Sequence, residues 1–324
     1  MKGDIHHDRG LASGPLSTTR RSARLAARRR QVRRRRAVAL GIVALVVAGL
    51  VIVVPGGGQP GPHRAASPLS PVQAASKPAS PAKPAVHKPH PGPPAASSQA
   101  SPVDRVLHYT SYVELAGHKH RDVALTFDDG PGPYTSQVLG ILRSMHVPAT
   151  FFVIGSSVNT YPRLVAAEVA AGEQVGDHTE SHAALGQLSS SAQAGQLTQA
   201  AESIRRAGAP APVLMRPPYG SFNSTTLQVL RAQRMLMVLW SVDTKDYSRP
   251  GADRIVYTAI SGARPGAIVL MHDGGGDRSE TVAALPRIIT RLRQRGFHLV
   301  TIPQLVAEDP PPRSQPPPHS LAGF

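Results

Sequence analysis

The stretch VALTFDDGPG, Val123–Gly132, decides how this chain is read. Val123, Ala124, Leu125, Thr126 and Phe127 have the apolar, β-branched composition of a buried strand. Asp128 and Asp129 stand side by side at its carboxyl end, and Gly130, Pro131, Gly132 and Pro133 then break it. Adjacent carboxylates repel, and burying either without a partner is costly. A solvated aspartate pair at a strand-to-loop turn is one reading. A metal ion gives the other, since one carboxylate can ligate it while its neighbour stays free to move a proton. The pair alone leaves both open.

Outward from this strand, apolar runs alternate with helical patterns. The predicted strands are Val123–Phe127, Ala149–Ile154, Gln174–Gly176, Val213–Met215, Leu236–Val242, Ala267–Met271 and Leu299–Ile302. Helices are predicted at Ser136–Met145, Pro162–Ala171, Ser191–Ala207, Ser224–Arg234, Ala252–Ala263 and Glu280–Arg295. Repeated β/α units in one domain of about 200 residues predict an α/β fold with a parallel sheet, as a small or incomplete barrel. Residues at strand carboxyl ends are then the functional candidates.

Each candidate polar residue falls at such an end. Gln174–Gly176 runs into Asp177 and HTESH, His178–His182, whose two histidines can share a helical face or close a turn around one ion. RPPYGSF, Arg216–Phe222, reads as a rigid loop presenting a charge and free backbone N–H groups, or as an ordinary turn with a surface arginine. Asp243, with Asp246 and Tyr247 close behind, follows Leu236–Val242; His272, Asp273 and three glycines follow Ala267–Met271.

TFDDGP, HTESH, RPPYG, WSVDTKDY and IVLMH occur in this order, each at a predicted strand end. The set resembles the polysaccharide deacetylases of carbohydrate esterase family 4, the NodB-homology domain, over about Asp122–Pro303. That resemblance implies a distorted or incomplete (β/α)7 barrel. It implies Asp129, His178 and His182 as ligands of a divalent metal, typically Zn2+, with Co2+ or another transition ion as alternatives. Asp128 would be the general base, oriented by Arg216. His272 would be the general acid, kept protonated by Asp243. The backbone N–H of Tyr219 would bind the oxyanion, and Leu270 and Trp240 would wall an acetyl pocket. The family often has Trp where this chain has Tyr247; a tyrosine keeps an aromatic wall there.

The net charge of +16 sits mostly outside this region. Residues 1–36 form an arginine-rich leader carrying +10, the linker 55–102 carries +4, and 103–308 carries only +2. Bulk charge therefore gives the globular part no concentrated basic face, and no nucleic acid is expected as a partner. The chain has no cysteine, which excludes disulfides and thiolate metal sites.

Residues 37–54 form an uncharged apolar run of eighteen residues, about 27 Å as a helix. With its basic flank it is expected to be a single-pass signal-anchor, the amino terminus in the cytoplasm and everything after Val54 outside. Secretion after signal cleavage is the alternative; the long leader and the lack of an A-x-A-like site after Val54 argue against it. Residues 55–102, rich in Pro, Ala and Ser, read as an extended spacer, and 309–324 as a proline-rich disordered tail.

The expected function is metal-dependent removal of N-acetyl groups from N-acetylglucosamine residues of an extracellular polysaccharide. The tether favours peptidoglycan over chitin-type oligomers. O-deacetylation of acetylxylan and a catalytically silent glycan-binding wall module are the alternatives.

Overall fold

A computed structural model describes residues 100–314. The leader, the apolar run 37–54 and nearly all of the 55–102 spacer lie outside them, as does the tail beyond 314. Among the described residues no helix is long and apolar enough to cross a membrane.

Nine parallel strands are present among the described residues: β1 (Tyr112–Val113), β2 (Asp122–Gly130), β3 (Thr150–Val153), β4 (Gln174–Asp177), β5 (Leu214–Met215), β6 (Leu236–Val238), β7 (Val242–Asp243), β8 (Ala267–His272) and β9 (His298–Leu299). Their order is β1-β6-β5-β4-β3-β2-β8-β7, with β9 on β2. Nine helices pack around them: α1 (Pro102–Leu107), α2 (Thr135–Met145), α3 (Gly155–Thr160), α4 (Pro162–Ala170), α5 (Ser190–Arg206), α6 (Ser224–Ala232), α7 (Ala252–Gly262), α8 (Ser279–Gln294) and α9 (Ile302–Glu308). The sheet curls into the distorted (β/α) barrel that the sequence implies.

β2 is the axis of the fold. It lies between β3 and β8, and its apolar side chains are fully buried. Phe127 stacks on Phe151 of β3 with ring centroids 5.2 Å apart, worth about 1 kcal/mol beyond area burial. α8 buries Leu285, Ile288, Ile289 and Leu292 in the same core, at the i, i+3, i+4 spacing of an amphipathic helix.

The single strand expected at Leu236–Val242 is broken in two, and the break shapes the barrel. β6 pairs with β5 and β1, whereas β7 pairs with β8, so this one run joins the two sides of the sheet. Between them Leu239 N–H bonds to Val113 O at 2.8 Å and Ser241 N–H to Ile268 O at 3.1 Å. The run changes neighbours in mid-course, and the Val238 and Leu239 carbonyls are taken by a side chain instead of a strand.

Three further differences are local. The strand expected at Leu299–Ile302 stops at Leu299, because Thr301 and Gln304 form a reciprocal capping box that starts α9. β1, α1 and α3 were not expected. Packing also continues past Glu308. Asp309 accepts backbone N–H bonds from Lys119 and His120, the latter at 3.1 Å, and Tyr109 donates its hydroxyl to Pro311 O at 2.9 Å.

Candidate active site

Successive side chains of a strand point to opposite faces, so neighbouring aspartates should not reach one site. A β-bulge resolves this. Asp128 pairs with Phe152 and Gly130 with Val153, leaving Asp129 as the extra residue at φ 70°. Gly275 makes room for it: a Cβ there would lie 2.4 Å from Asp129 Oδ2.

His178 directly follows β4. Thr179 and His182 adopt positive φ, so HTESH closes a turn and not a helical face. The histidine Nε2 atoms lie 3.5 Å (His178) and 3.1 Å (His182) from Asp129 Oδ1. The three donor atoms lie within 4.8 Å of one another. Asp129 Oδ1 is buried and has no hydrogen-bond partner. Burial works against ionisation of Asp129, but the two histidines more than offset it and hold the carboxyl well below the usual range. His178 Nδ1 lies 2.7 Å from Arg216 O. A carbonyl only accepts, so Nδ1 donates to it and Nε2 is the ring atom turned toward Asp129. Two imidazoles and a carboxylate whose buried oxygen lacks a hydrogen-bond partner fit a divalent transition ion.

Asp128 is held differently. Its Oδ1 accepts from Arg216 Nη1 at 2.8 Å. Arg216 is completely buried. It also donates to Thr126 Oγ1 at 2.8 Å, and to the Val238 and Leu239 carbonyls at 3.1 Å each. Its guanidinium lies 4.3 Å from the Phe152 ring centroid, a desolvated cation–π contact of about 2 kcal/mol. The two freed carbonyls of the broken strand therefore become ligands of the arginine that fixes Asp128. It is a buried part of the frame, not the surface arginine of an ordinary turn.

His272 ends β8 in register with Asp128. Its Nδ1 lies 2.7 Å from Oδ1 of Asp246, not of Asp243. The other Asp246 oxygen accepts from His272 N at 2.8 Å and Thr281 Oγ1 at 2.7 Å. Burial alone would lower the His272 pKa; the bond to Asp246 and its charge raise it above the ordinary histidine value. Asp243 instead accepts from Lys245 N at 2.9 Å and Tyr247 Oη at 3.3 Å. The expected Asp243–His272 pair is thus corrected. Lys245 enters the left-handed region, and the short turn Asp246–Ser248 folds the later aspartate back under the imidazole.

Every sequence candidate except Arg216, which lies behind Asp128, lines one cavity of about 430 Å³. Trp240 and Leu270 wall it, and Tyr247 meets His272 edge-on at 5.3 Å between centroids. Asp243 lines it too, away from the imidazole nitrogen it was expected to hold.

The polysaccharide deacetylase family model matches residues 116–238. A chitooligosaccharide deacetylase of Bradyrhizobium is 42% identical over 208 residues, covering 60% of this chain and 94% of that protein. The chain belongs to the polysaccharide deacetylase family. Among solved structures, a peptidoglycan N-acetylglucosamine deacetylase bound to 4-naphthalen-1-yl-N-oxidanyl-benzamide aligns with TM-score 0.59 at 33% identity, covering 60% of this chain and 92% of that one. A pseudoenzyme of carbohydrate esterase family 4 from Bacillus anthracis aligns with TM-score 0.57 at 31% identity, covering 60% and 68%.

Within this deacetylase, sequence reasoning missed the residues that hold the site from behind. Nothing in the sequence marks Thr126 or Thr281 for these roles, and Asp246 stands out there only as a neighbour of Asp243. Asp273 is buried and accepts from Thr135 Oγ1, and burial pushes its carboxyl up to about 7.

Proposed function

We propose that this deacetylase removes N-acetyl groups from N-acetylglucosamine units of an extracellular glycan, peptidoglycan before chitin-type oligomers. One observation carries the reading: Asp128, locked by buried Arg216, stands beside the Asp129–His178–His182 donor set, with His272, paired to Asp246, on the adjoining strand. The likeness to chitooligosaccharide and peptidoglycan deacetylases supports the substrate class. The preference for peptidoglycan rests on residues 37–54 acting as a membrane anchor and 55–102 as a spacer, with the catalytic domain outside.

A divalent ion held by Asp129, His178 and His182, zinc in our reading, would supply Lewis acidity toward the acetyl carbonyl and a water molecule. Asp128 takes the proton of the attacking water, its lone pair aimed by Arg216. The backbone N–H of Tyr219 stabilises the developing oxyanion. His272 gives its Nε2 proton to the departing sugar nitrogen, while Asp246 steadies the imidazolium through Nδ1. Trp240 and Leu270 enclose the acetyl methyl group, and Tyr247 shapes the rim.

The test is mass spectrometry of products formed by the purified full chain from chitooligosaccharide, peptidoglycan and acetylxylan, with and without chelator. Chelator-sensitive loss of 42 Da per N-acetylglucosamine unit, about the mass of an acetyl group less one hydrogen, is expected. Loss from acetylxylan alone would replace the amide assignment by an ester one. No loss from any substrate would place the chain with the silent members.

A further inference from the structure

Ligand histidines are oriented by whatever their second ring nitrogen bonds, and this chain treats its two histidines unequally. His178 bonds a main-chain carbonyl that the buried Arg216 holds in place. His182 Nδ1 lies 3.0 Å from the hydroxyl of Tyr219, a residue 60% exposed that lines the cavity. The Tyr219 ring also meets the His182 ring edge-on, with centroids 4.5 Å apart. Both residues adopt positive φ, 57° and 60°. The Tyr219 turn is closed by Gly220 N–H to Pro217 O at 3.0 Å and Ser221 N–H to Pro218 O at 2.9 Å. Two constrained loops, one after β4 and one after β5, are therefore joined through this phenol.

We propose that the Tyr219 hydroxyl is a positioning group for the metal centre: it accepts the Nδ1 proton of His182 and so presents Nε2 to the cation. This role is distinct from the main-chain N–H of the same residue. It rests on the reading of Asp129, His178 and His182 as one metal site. The chemistry favours it for a specific reason. His182 is less buried than His178, its side chain 24% against 3% exposed, so its imidazole has fewer packing contacts to fix its angle. A single hydrogen bond then carries more of the orientation. Loss of such an outer partner typically costs 10- to 100-fold in metal affinity.

Tyr219→Phe keeps the ring contact, the backbone turn and the main-chain N–H while deleting only the hydroxyl. The full chain and this variant would be titrated with Co2+ against a chromophoric chelator, with apo melting temperature and far-UV circular dichroism recorded on the same samples. Binding about 10- to 100-fold weaker at an unchanged apo melting temperature is the expected result. Affinity within twofold of wild type would overturn the proposal. His182→Ala separates the two levels of the argument: if tight Co2+ binding survives it, the metal-site reading fails whatever Tyr219 does. Should Tyr219→Phe fold poorly, the wild-type Co2+ form still decides. Proton spectra should show two slowly exchanging, hyperfine-shifted Nδ1–H signals, one per ligand histidine. One signal alone would refute the His182–Tyr219 bond.

Discussion

Replacing Asp246 by asparagine removes the negative charge that faces His272 and leaves volume nearly unchanged. In the native site the carboxylate accepts the Nδ1 proton at 2.7 Å, and its other oxygen is held by His272 N–H and Thr281. At an effective dielectric near 20, unit charges about 4 Å apart interact by about 4 kcal/mol, a ceiling of about 3 pKa units. The imidazole is buried, and burial acts to lower its pKa. Without Asp246 only the charges of Asp128 and Asp129 still oppose burial, so the pKa should fall, by less than that ceiling. The general acid works only when protonated, a state complete below its pKa and lost as pH rises through it. The alkaline limb of kcat/KM should therefore move acidward, with up to about 100-fold lower activity at pH 8 and partial recovery at pH 5.5. Stability follows the same sign: the native pair stabilises most below pH ~6.5 and progressively less as pH rises through the raised pKa. Asp243→Asn should leave the alkaline limb in place. A uniform loss at every pH in Asp246→Asn, or a limb that moves only in Asp243→Asn, would refute the assignment.

Other expectations follow from the surrounding frame. Glu168 is fully buried, and neither carboxylate oxygen has a partner; burial, with Asp273 and Glu173 nearby, raises its pKa well above the ordinary value. Glu168→Met should raise the melting temperature by about 2–10 °C, and more at pH 8 than at pH 4, because the native fold loses stability as pH climbs past ~4.5. Arg216→Lys cannot reproduce the planar fork on Asp128, Val238 and Leu239; calorimetry should show about 3–5 kcal/mol lost. Gly275→Ala pushes a methyl group against Asp129 at a backbone φ of 71°, and competition titration should show Co2+ affinity at least about tenfold weaker.

The catalytic ends of the barrel were legible because the chemistry there is written in adjacent residues. DD, HTESH and RPPYG each place their polar groups within a few positions of a strand end, so strand prediction alone aims them at one face. What the sequence hid depends on pairings far along the chain. Asp246 reaches His272 and Thr281, 26 and 35 residues away, and nothing in the local spacing of VDTKDY favours it over Asp243. The family resemblance assigned that partner to Asp243. The left-handed Lys245 reverses the chain and delivers the other one.

The broken strand has a related cause. LMVLWSV is apolar almost throughout, and periodicity cannot show that its neighbour changes from β5 to β8 half-way along. Arg216 supplies the compensation by satisfying two carbonyls at the break. α9 is a different case, because Thr301, Pro303 and Gln304 carry a readable helix start that the preceding apolar run obscured. β1 is too short for any pattern to register.

The proposed catalysis requires Asp129, His178 and His182 to grip a single cation with Asp128 alongside. Anomalous diffraction from crystals of the zinc-loaded protein would test this directly. One peak about 2.0–2.2 Å from Asp129 oxygen and both histidine Nε2 atoms is expected, with the Asp128 carboxylate still on Arg216. A peak that excludes either histidine, or one that draws Asp128 off Arg216 into the coordination sphere, would contradict it.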